Sequence, residues 1–298
     1  MEDERTKNKK WIGMIIAILR EMIFYFYERP NATFQLLKNQ KSNTYLKMED
    51  PNFNAFRWVK NNTKPAGLVV FIHGLNSDPA VYNRHVEYMN ETCEAMDCTL
   101  VAPFVKKRGN VSLDEAAKPF YELVKAYHDR YFTSPIALVG TSNGSRIAGQ
   151  VDVWMRGRGC KMHVSSIAGV LDGTKLINET ENWGITKRWL PQVVRDEMRH
   201  KSPRAQKLLR DMKTVPVREN AGDARDYLFF GTHDDTRVYP ISSAMPQISQ
   251  SVREKNNEKH ICLVHIEHSS IVPFVSKEHS EYLLAWLQRN LAPEFKIQ

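Results

Sequence analysis

The sequence predicts an α/β fold with a mostly parallel central sheet and helices on both of its faces. Short apolar runs rich in β-branched residues, such as Gly67–Ile72, alternate with longer helix-compatible segments. Polar and glycine-containing loops follow several of these runs, as they do at the carboxyl ends of parallel strands. No repeat or linker-like tract interrupts the chain after residue 30. We therefore expect one large domain over residues 31–298.

Composition narrows the classes of function. Hydrophobic residues make up 42% of the 298 residues and charged residues 26%, which is typical of a globular domain with a sizeable core. The formal net charge of +8 suits an anionic membrane surface or an acidic partner. The chain has no zinc-finger spacing or aromatic RNA-binding motif, so nucleic-acid binding is disfavoured. Its four cysteines lack metal-ligand spacing, and no metal or cofactor is predicted.

Residues 1–30 are predicted to form an amphipathic or apolar helix. The apolar stretch 11–27 is slightly shorter than the ~20 residues that span a bilayer, and Arg20 and Glu21 interrupt it. The segment could lie on a membrane or pack on the domain's own surface, and the sequence leaves both open. We favour membrane association over a cytoplasmic location. The sequence does not indicate an oligomeric state.

The strands are predicted from apolar runs. Gly67–Ile72 is apolar throughout, which is typical of a strand covered on both faces. The predicted strands lie at 53–59, 67–72, 99–104, 135–139, 164–170, 226–230 and 261–266.

The helices are predicted from periodicity and from start signals. Pro79 suits a first helical turn, and Ser112 with Glu115 has capping-box spacing. The predicted helices lie at 79–95, 112–132, 145–155 and 276–291. The region 171–215 is polar, basic and helix-leaning with no clear strand, so we interpret it as an insertion over the sheet.

The most informative motif is Gly-Thr-Ser-Asn-Gly at 140–144, between a predicted strand and a predicted helix. A serine hydroxyl is a poor nucleophile at neutral pH unless a base reaches it at an exposed, sharp turn. The flanking glycines relieve the crowding at such a turn. Ser142 is therefore the candidate nucleophile.

Two later strands end in residues that complete a Ser, Asp, His order along the chain. Asp234 and Asp235 follow the strand at 226–230, and His268 follows the strand at 261–266. His265 is a rival base, but it falls inside the predicted strand, so His268 is preferred. In this order of motifs the sequence resembles the α/β-hydrolase family, over roughly residues 66–291.

The resemblance implies a role for each of these residues. Ser142 would attack an acyl carbonyl, and His268 would take and return the proton. The family commonly places its acid three residues after the glycine at the strand end, which selects Asp234. It also often has a valine three residues after the acid, which selects Asp235. We prefer Asp234 because the strand end fixes position from the amino-terminal side, and Asp235 is the alternative.

His73-Gly74 after the first apolar run resembles the oxyanion loop of the family. This likeness implies that the backbone amides of Leu75 and Asn143 bind the oxyanion. His73 itself is expected to be structural.

Within the family these motifs look most like lipases and carboxylesterases, with 171–215 as a cap or lid. Trp183, Trp189 and Leu190 in that region would touch an acyl chain or form the cap's own small core. The resemblance thus implies a serine hydrolase that cleaves a small-molecule or lipid ester. The alternatives are a non-catalytic binding or scaffold protein of the same fold, and an acyltransferase that uses the same serine.

Overall fold

The structure is a computed structural model that describes residues 67–96, 98–181, 187, 190–214, 222–249 and 257–291. The predicted helix at 1–30, the predicted strand at 53–59 and both tryptophans of the predicted cap lie outside these residues. None of the helices in these ranges combines the length and the apolar character needed to cross a membrane.

Within the described ranges, six parallel strands form one sheet in the order β2-β1-β3-β4-β5-β6. Their bounds are β1 Gly67–Ile72, β2 Cys98–Val101, β3 Ile136–Thr141, β4 Lys161–Ile167, β5 Ala224–Thr232 and β6 Glu258–Leu263. Every neighbouring pair is parallel. The carboxyl ends of all these strands therefore lie along one edge, as the predicted fold class requires.

Local chemistry explains where the strands depart from the predicted bounds. β2 ends at Val101, three residues early, because Pro103 cannot donate a ladder hydrogen bond. β4 ends at Ile167 because Ala168 has a φ of 48°. β4 begins earlier than predicted, where polar residues such as His163 conceal the strand pattern.

The last two strands shift in a way that matters for the site. β5 continues through Gly231 to Thr232, two residues beyond its predicted end. β6 begins and ends three residues earlier than predicted, since its ladder pairs Glu258 with Tyr227 of β5 and Leu263 with Thr232. β6 is an edge of this sheet and is largely exposed, so apolar content is a poor guide to its limits.

Seven helices longer than one turn lie in the described ranges. They are α1 Asn83–Ala95, α2 Leu113–Arg130, α3 Asn143–Met155, α4 Lys175–Glu181, α5 Gln192–Met198, α6 Pro203–Thr214 and α7 Ile271–Asn290. The Ser112 hydroxyl accepts a hydrogen bond from the Glu115 amide at 3.3 Å, which confirms the predicted start of α2. A short 3-10 turn at Pro79–Tyr82 precedes α1.

The helices cover both faces of the sheet. Leu68, Val70 and Ile72, at alternate positions of β1, belong to a buried cluster with residues of α2, α3 and α6. The ring of Phe71 faces the other way and lies 4.8 Å from that of Tyr82, centroid to centroid. On that side α1 and α7 contact each other.

The region predicted as an insertion divides into two parts. Leu208 and Met212 of α6 join the main core cluster. α4 and α5 instead contribute to a smaller buried cluster, against which Leu190 packs. Its members are Val170, Ile177, Val194, Met198, Val238 and Ala244. α6 is therefore part of the main domain, and the region between Leu171 and α6 has its own small core.

Candidate active site

Ser142 occupies a strained turn between β3 and α3. Its φ is 52° and its ψ is −122°, a conformation that residues with a Cβ rarely adopt. The Ser142 amide donates to the Ile167 carbonyl at 3.0 Å, and the Val170 amide donates to the Ser142 carbonyl at 3.3 Å. These bonds tie the turn to the end of β4. The side chain is partly exposed.

The two glycines of the motif are required by close backbone approaches. A Cβ on Gly140 would lie 2.5 Å from the Gly144 carbonyl oxygen. A Cβ on Gly144 would collide with the Ile72 carbonyl oxygen of β1. The helix can therefore begin directly beside the strand ends only with glycine at both positions.

The loop after β1 lies against the serine. A Cβ on Gly74 would be only 2.9 Å from the Ser142 Cβ. His73 holds this loop, because its Nε2 accepts a hydrogen bond from the Val105 amide at 2.9 Å. The proton therefore resides on Nδ1, which lies 2.9 Å from the Gly74 carbonyl oxygen and donates to it. This supports a structural role for His73.

The predicted oxyanion donors flank the serine. Asn143 begins α3 directly after Ser142, and Leu75 follows Gly74. Among the described residues, neither backbone amide donates to a protein acceptor. Both amides therefore remain able to donate to a substrate oxygen.

The carboxylate beside His268 is that of Asp235. His268 Nδ1 lies 2.7 Å from Asp235 Oδ2, and both side chains are largely buried. The other carboxylate oxygen, Oδ1, accepts from the amides of Arg237 and Val238, each at 2.8 Å. These bonds fix the carboxylate and leave Oδ2 directed at the imidazole.

Asp234, the preferred acid in the sequence analysis, has a different partner. Its Oδ2 accepts from the His265 amide at 2.6 Å, and its side chain is exposed. Counting from Gly231 favoured Asp234, but β5 continues to Thr232, and the carboxylate that reaches His268 is one residue further along. His265 also lies outside β6, with a φ of 58° and an exposed side chain. The hydrogen bond to His268 thus favours Asp235, the alternative acid, over Asp234.

The structure places Ser142, Asp235 and His268 in loops after β3, β5 and β6, at the same edge of the sheet. Within the described residues, no hydrogen bond joins the Ser142 hydroxyl to His268. The same ranges contain no group of three or more His, Cys, Asp or Glu side chains arranged to hold a metal ion.

A buried arginine that no sequence motif marks supports α3, the helix that begins after Ser142. Arg146 is 2% exposed, and its Nη1 donates to the Asn143 side-chain oxygen at 3.2 Å. Its Nη2 donates to the backbone carbonyl of Glu197 in α5 at 3.2 Å and lies 3.5 Å from the carboxylate. Burial lowers the pKa of Arg146 to about 10, and the Glu197 charge acts in the opposite direction.

Glu197 also connects a third element. Its Oε2 accepts from the Leu113 amide at the start of α2, at 2.7 Å. Arg146 and Glu197 are 51 positions apart, and no spacing rule in the sequence pairs them. Only the contact between Arg146 and Glu197 shows that the residue after Ser142 is supported from the inserted region.

Comparisons with known proteins support this architecture. No protein-family model and no curated protein matches the chain. Among solved structures, a monoacylglycerol lipase from Paleococcus ferrophilus superposes with a TM-score of 0.51 and 15% identity. The alignment covers 76% of this chain and 96% of that one.

Two further structures are similar at lower scores. Est1E from Butyrivibrio proteoclasticus has a TM-score of 0.49, with 15% identity, over 76% of this chain and 90% of that one. The phospholipase PlaB from Legionella pneumophila has a TM-score of 0.42, with 16% identity, over 55% of this chain. The match spans only 39% of the PlaB chain. The parallel strand order, the turn at Ser142 and the likeness to the Paleococcus structure together identify this chain as having the α/β-hydrolase fold.

Proposed function

We propose that the protein is a serine hydrolase that cleaves a carboxylic ester, with Ser142 as nucleophile, His268 as base and Asp235 as acid. The observation that carries this proposal is the Asp235–His268 hydrogen bond of 2.7 Å at the same sheet edge as a strained serine. A turn with only a structural role would not need a serine at a positive φ beside the loop that contains Gly74.

In the proposed reaction, the Ser142 Oγ attacks the ester carbonyl while His268 Nε2 takes its proton. Asp235 accepts a hydrogen bond from His268 Nδ1, which directs Nε2 toward the serine and stabilises the imidazolium. The amides of Leu75 and Asn143 stabilise the oxyanion. His268 then protonates the leaving alkoxide, which departs as the alcohol and leaves an acyl-enzyme.

Water completes the cycle. His268 removes a proton from water, whose oxygen attacks the acyl carbon, and the proton returns to Ser142 as the carboxylic acid leaves. A hydrolase and an acyltransferase differ only in whether water or an alcohol reaches this intermediate.

We propose a lipid-like ester as the substrate class. The inserted region between Leu171 and α6 has its own apolar cluster, and Val193 on α5 is 40% exposed, which suits an acyl chain. The basic chain and the apolar stretch 11–27 favour association with an anionic membrane surface. The Paleococcus neighbour is a monoacylglycerol lipase, so monoacylglycerols belong in the first substrate panel.

The proposal is tested by labelling the folded protein with a fluorophosphonate and by assaying esters of increasing chain length. We expect labelling and hydrolysis that Ser142→Ala abolishes, with His265→Gln as a folded control that retains both. Labelling that persists in Ser142→Ala would overturn the assignment. A folded protein that is never labelled would indicate a binding protein, and acyl transfer to added alcohol faster than to water would indicate an acyltransferase.

Membrane association is tested separately. The full chain and a chain lacking residues 1–30 are compared for sedimentation with vesicles that contain anionic lipid. We expect binding to fall in the truncated chain, and unchanged binding would show that this segment is not the anchor.

A further inference from the structure

A turn of unusual backbone conformation lies next to the proposed oxyanion loop. Lys107 has φ 46° and ψ 33°, Arg108 has φ 53° and ψ 33°, and Gly109 has φ 82°. Three consecutive left-handed residues are rare, and two of these carry long side chains for which the conformation is sterically unfavourable. Such a turn persists only where its surroundings hold it, and strain of this kind is concentrated at functional sites.

Hydrogen bonds fix the turn to the oxyanion loop. The Arg108 carbonyl accepts from the Asn76 amide at 2.8 Å, one residue beyond Leu75. The Asn110 side-chain amide donates to the Asn76 side-chain oxygen at 2.6 Å and to the Lys107 carbonyl at 3.1 Å. The turn and the loop after β1 are therefore one connected unit.

Gly109 brings this unit close to the side chains of Asn143 and Leu75, the two residues whose amides are the proposed oxyanion donors. A Cβ at Gly109 would lie 3.0 Å from the Asn143 side-chain nitrogen and 3.4 Å from the Leu75 Cδ1. The two residues before Gly109 are thus positioned at the rim of the proposed active site.

The rim carries an excess of positive charge. Lys106, Lys107 and Arg108 are all exposed. Lys106 is paired with Glu115 at 2.8 Å. The hydrogen bond from Lys106, and then the charges of Lys106 and Lys107, lower the pKa of Glu115. Lys106 and Lys107 thus both act on this one carboxylate.

Two of the cations have no ion pair of their own. No salt bridge involves Lys107 or Arg108 within the part of the chain that the structure describes. The nearby Asp114 does not neutralise them, because it is paired with Arg204. The excess positive charge therefore remains at the rim.

We propose that Lys107 and Arg108 bind a negatively charged group of the substrate, so that the preferred ester carries a phosphate. Arginine and lysine are the residues that bind phosphate oxygens in proteins, arginine in two-pronged geometry. Attraction to a membrane alone would require only surface charge and not a strained turn hydrogen-bonded to the oxyanion loop. This inference rests on the proposed function and specifies its substrate.

The test compares two water-soluble esters with the same acyl chain, 1-hexanoylglycerol and 1-hexanoylglycerol-3-phosphate, as monomers. Lys107→Asn/Arg108→Asn removes both charges, and asparagine tolerates the left-handed backbone. We expect kcat/KM for the phosphorylated ester to fall on the order of tenfold or more, with the neutral ester changed less than about twofold. Lys201→Asn is the matched control, because Lys201 is also exposed and left-handed at φ 58°.

Binding gives a second readout that does not depend on turnover. The affinity of Ser142→Ala for the phosphorylated ester is measured by calorimetric titration. Adding Lys107→Asn/Arg108→Asn should lower that affinity on the order of tenfold. This measurement distinguishes the two proposals. An inactive protein that still shows charge-dependent binding would refute the hydrolase and retain the anion site.

Several results would overturn the inference. An equal loss on both esters would make the turn purely structural, and a charge effect seen only with vesicles would assign it to membrane attraction. Competitive inhibition by inorganic phosphate should accompany the preference for the phosphorylated ester. Inhibition without that preference would show an anion site that does not select the substrate, contrary to the proposal.

Discussion

His268 Nδ1 lies 2.7 Å from the Oδ2 of Asp235, whose second oxygen accepts two backbone amides of its own loop. The bonds from its own loop fix this carboxylate independently of the histidine. The side chain therefore needs little rearrangement when a substrate binds. The neighbouring Asp234 is bonded to the His265 amide instead. Two adjacent carboxylates therefore have different hydrogen-bond partners, and they provide a matched pair for mutation.

Asp235→Asn should lower kcat by about 10³- to 10⁴-fold, because the amide no longer stabilises the imidazolium and favours the wrong tautomer. Asp234→Asn should keep kcat within about threefold of the wild type. Steady-state kinetics on one ester measures both. The opposite pattern would return the acid role to Asp234.

Gly144→Ala should destabilise the protein by about 3 kcal/mol, because the added methyl group meets the rigid Ile72 carbonyl. Gly149→Ala on the same helix is the control, since the nearest atom there is the Met212 sulfur, at the end of a flexible side chain, 3.0 Å from the new Cβ. That variant should stay within about 1 kcal/mol of the wild type. Urea unfolding compares the two, and equal losses would contradict the proposed packing at Gly144.

Arg146→Met should lower both stability and kcat. Removal of one partner of a buried pair costs about 3 kcal/mol, and Asn143 loses the hydrogen bond that positions it beside Ser142. Arg146→Lys keeps the charge, but lysine cannot contact Asn143 and Glu197 at once. Compared with Arg146→Met, it should therefore restore stability more than kcat. Denaturant unfolding and kinetics, each measured on both variants, separate these effects. A kcat that recovers in parallel with stability would assign Arg146 a purely structural role.

Three histidines buried between α1, β4 and α7 should make the fold sensitive to acid. His85 lies 3.0 Å from His279, and His279 and His163 both contact the Ser165 hydroxyl, at 2.7 and 2.6 Å. Burial lowers the pKa of His85 and of His163 to about 3, and lowers that of His279 as well. For His163 the charges of Lys259 and Arg289 add to the effect.

These lowered pKa values mean that acid destabilises the folded protein. Between about pH 6.5 and pH 3 the unfolded chain binds protons that the folded chain excludes, so stability is complete above that window and falls as the pH decreases through it. Each histidine contributes a slope of about 1.4 kcal/mol per pH unit. Urea unfolding at several pH values should show a shallower slope for His85→Gln than for the exposed-site variant His233→Gln. Equal slopes would contradict the prediction.

Much of the fold could be predicted from the sequence because each signal was local. Gly67–Ile72 is apolar at every position, and the Gly-Thr-Ser-Asn-Gly turn carries its own strand and helix signals on either side. Ser112 likewise marks the start of α2 through a bond to a residue three positions away. Residues that act within one turn or one strand need no distant partner to be recognised.

The rest depended on contacts between distant segments. The choice of Asp235 over Asp234 required the true end of β5, which the ladder with β6 extends to Thr232. The pairing of Arg146 with Glu197 arises only when the fold brings α5 near α3.

The sequence by itself determined the fold class and the candidate nucleophile, because the alternation of strands and helices and the Gly-Thr-Ser-Asn-Gly turn are local patterns. The candidate base followed from the order of the motifs along the chain. Tertiary structure decided which carboxylate meets His268, what braces Asn143, and that the basic turn at Lys107 and Arg108 adjoins Leu75. The physical reason is that these relationships join segments brought together by burial and backbone hydrogen bonding, and spacing along the chain does not encode them.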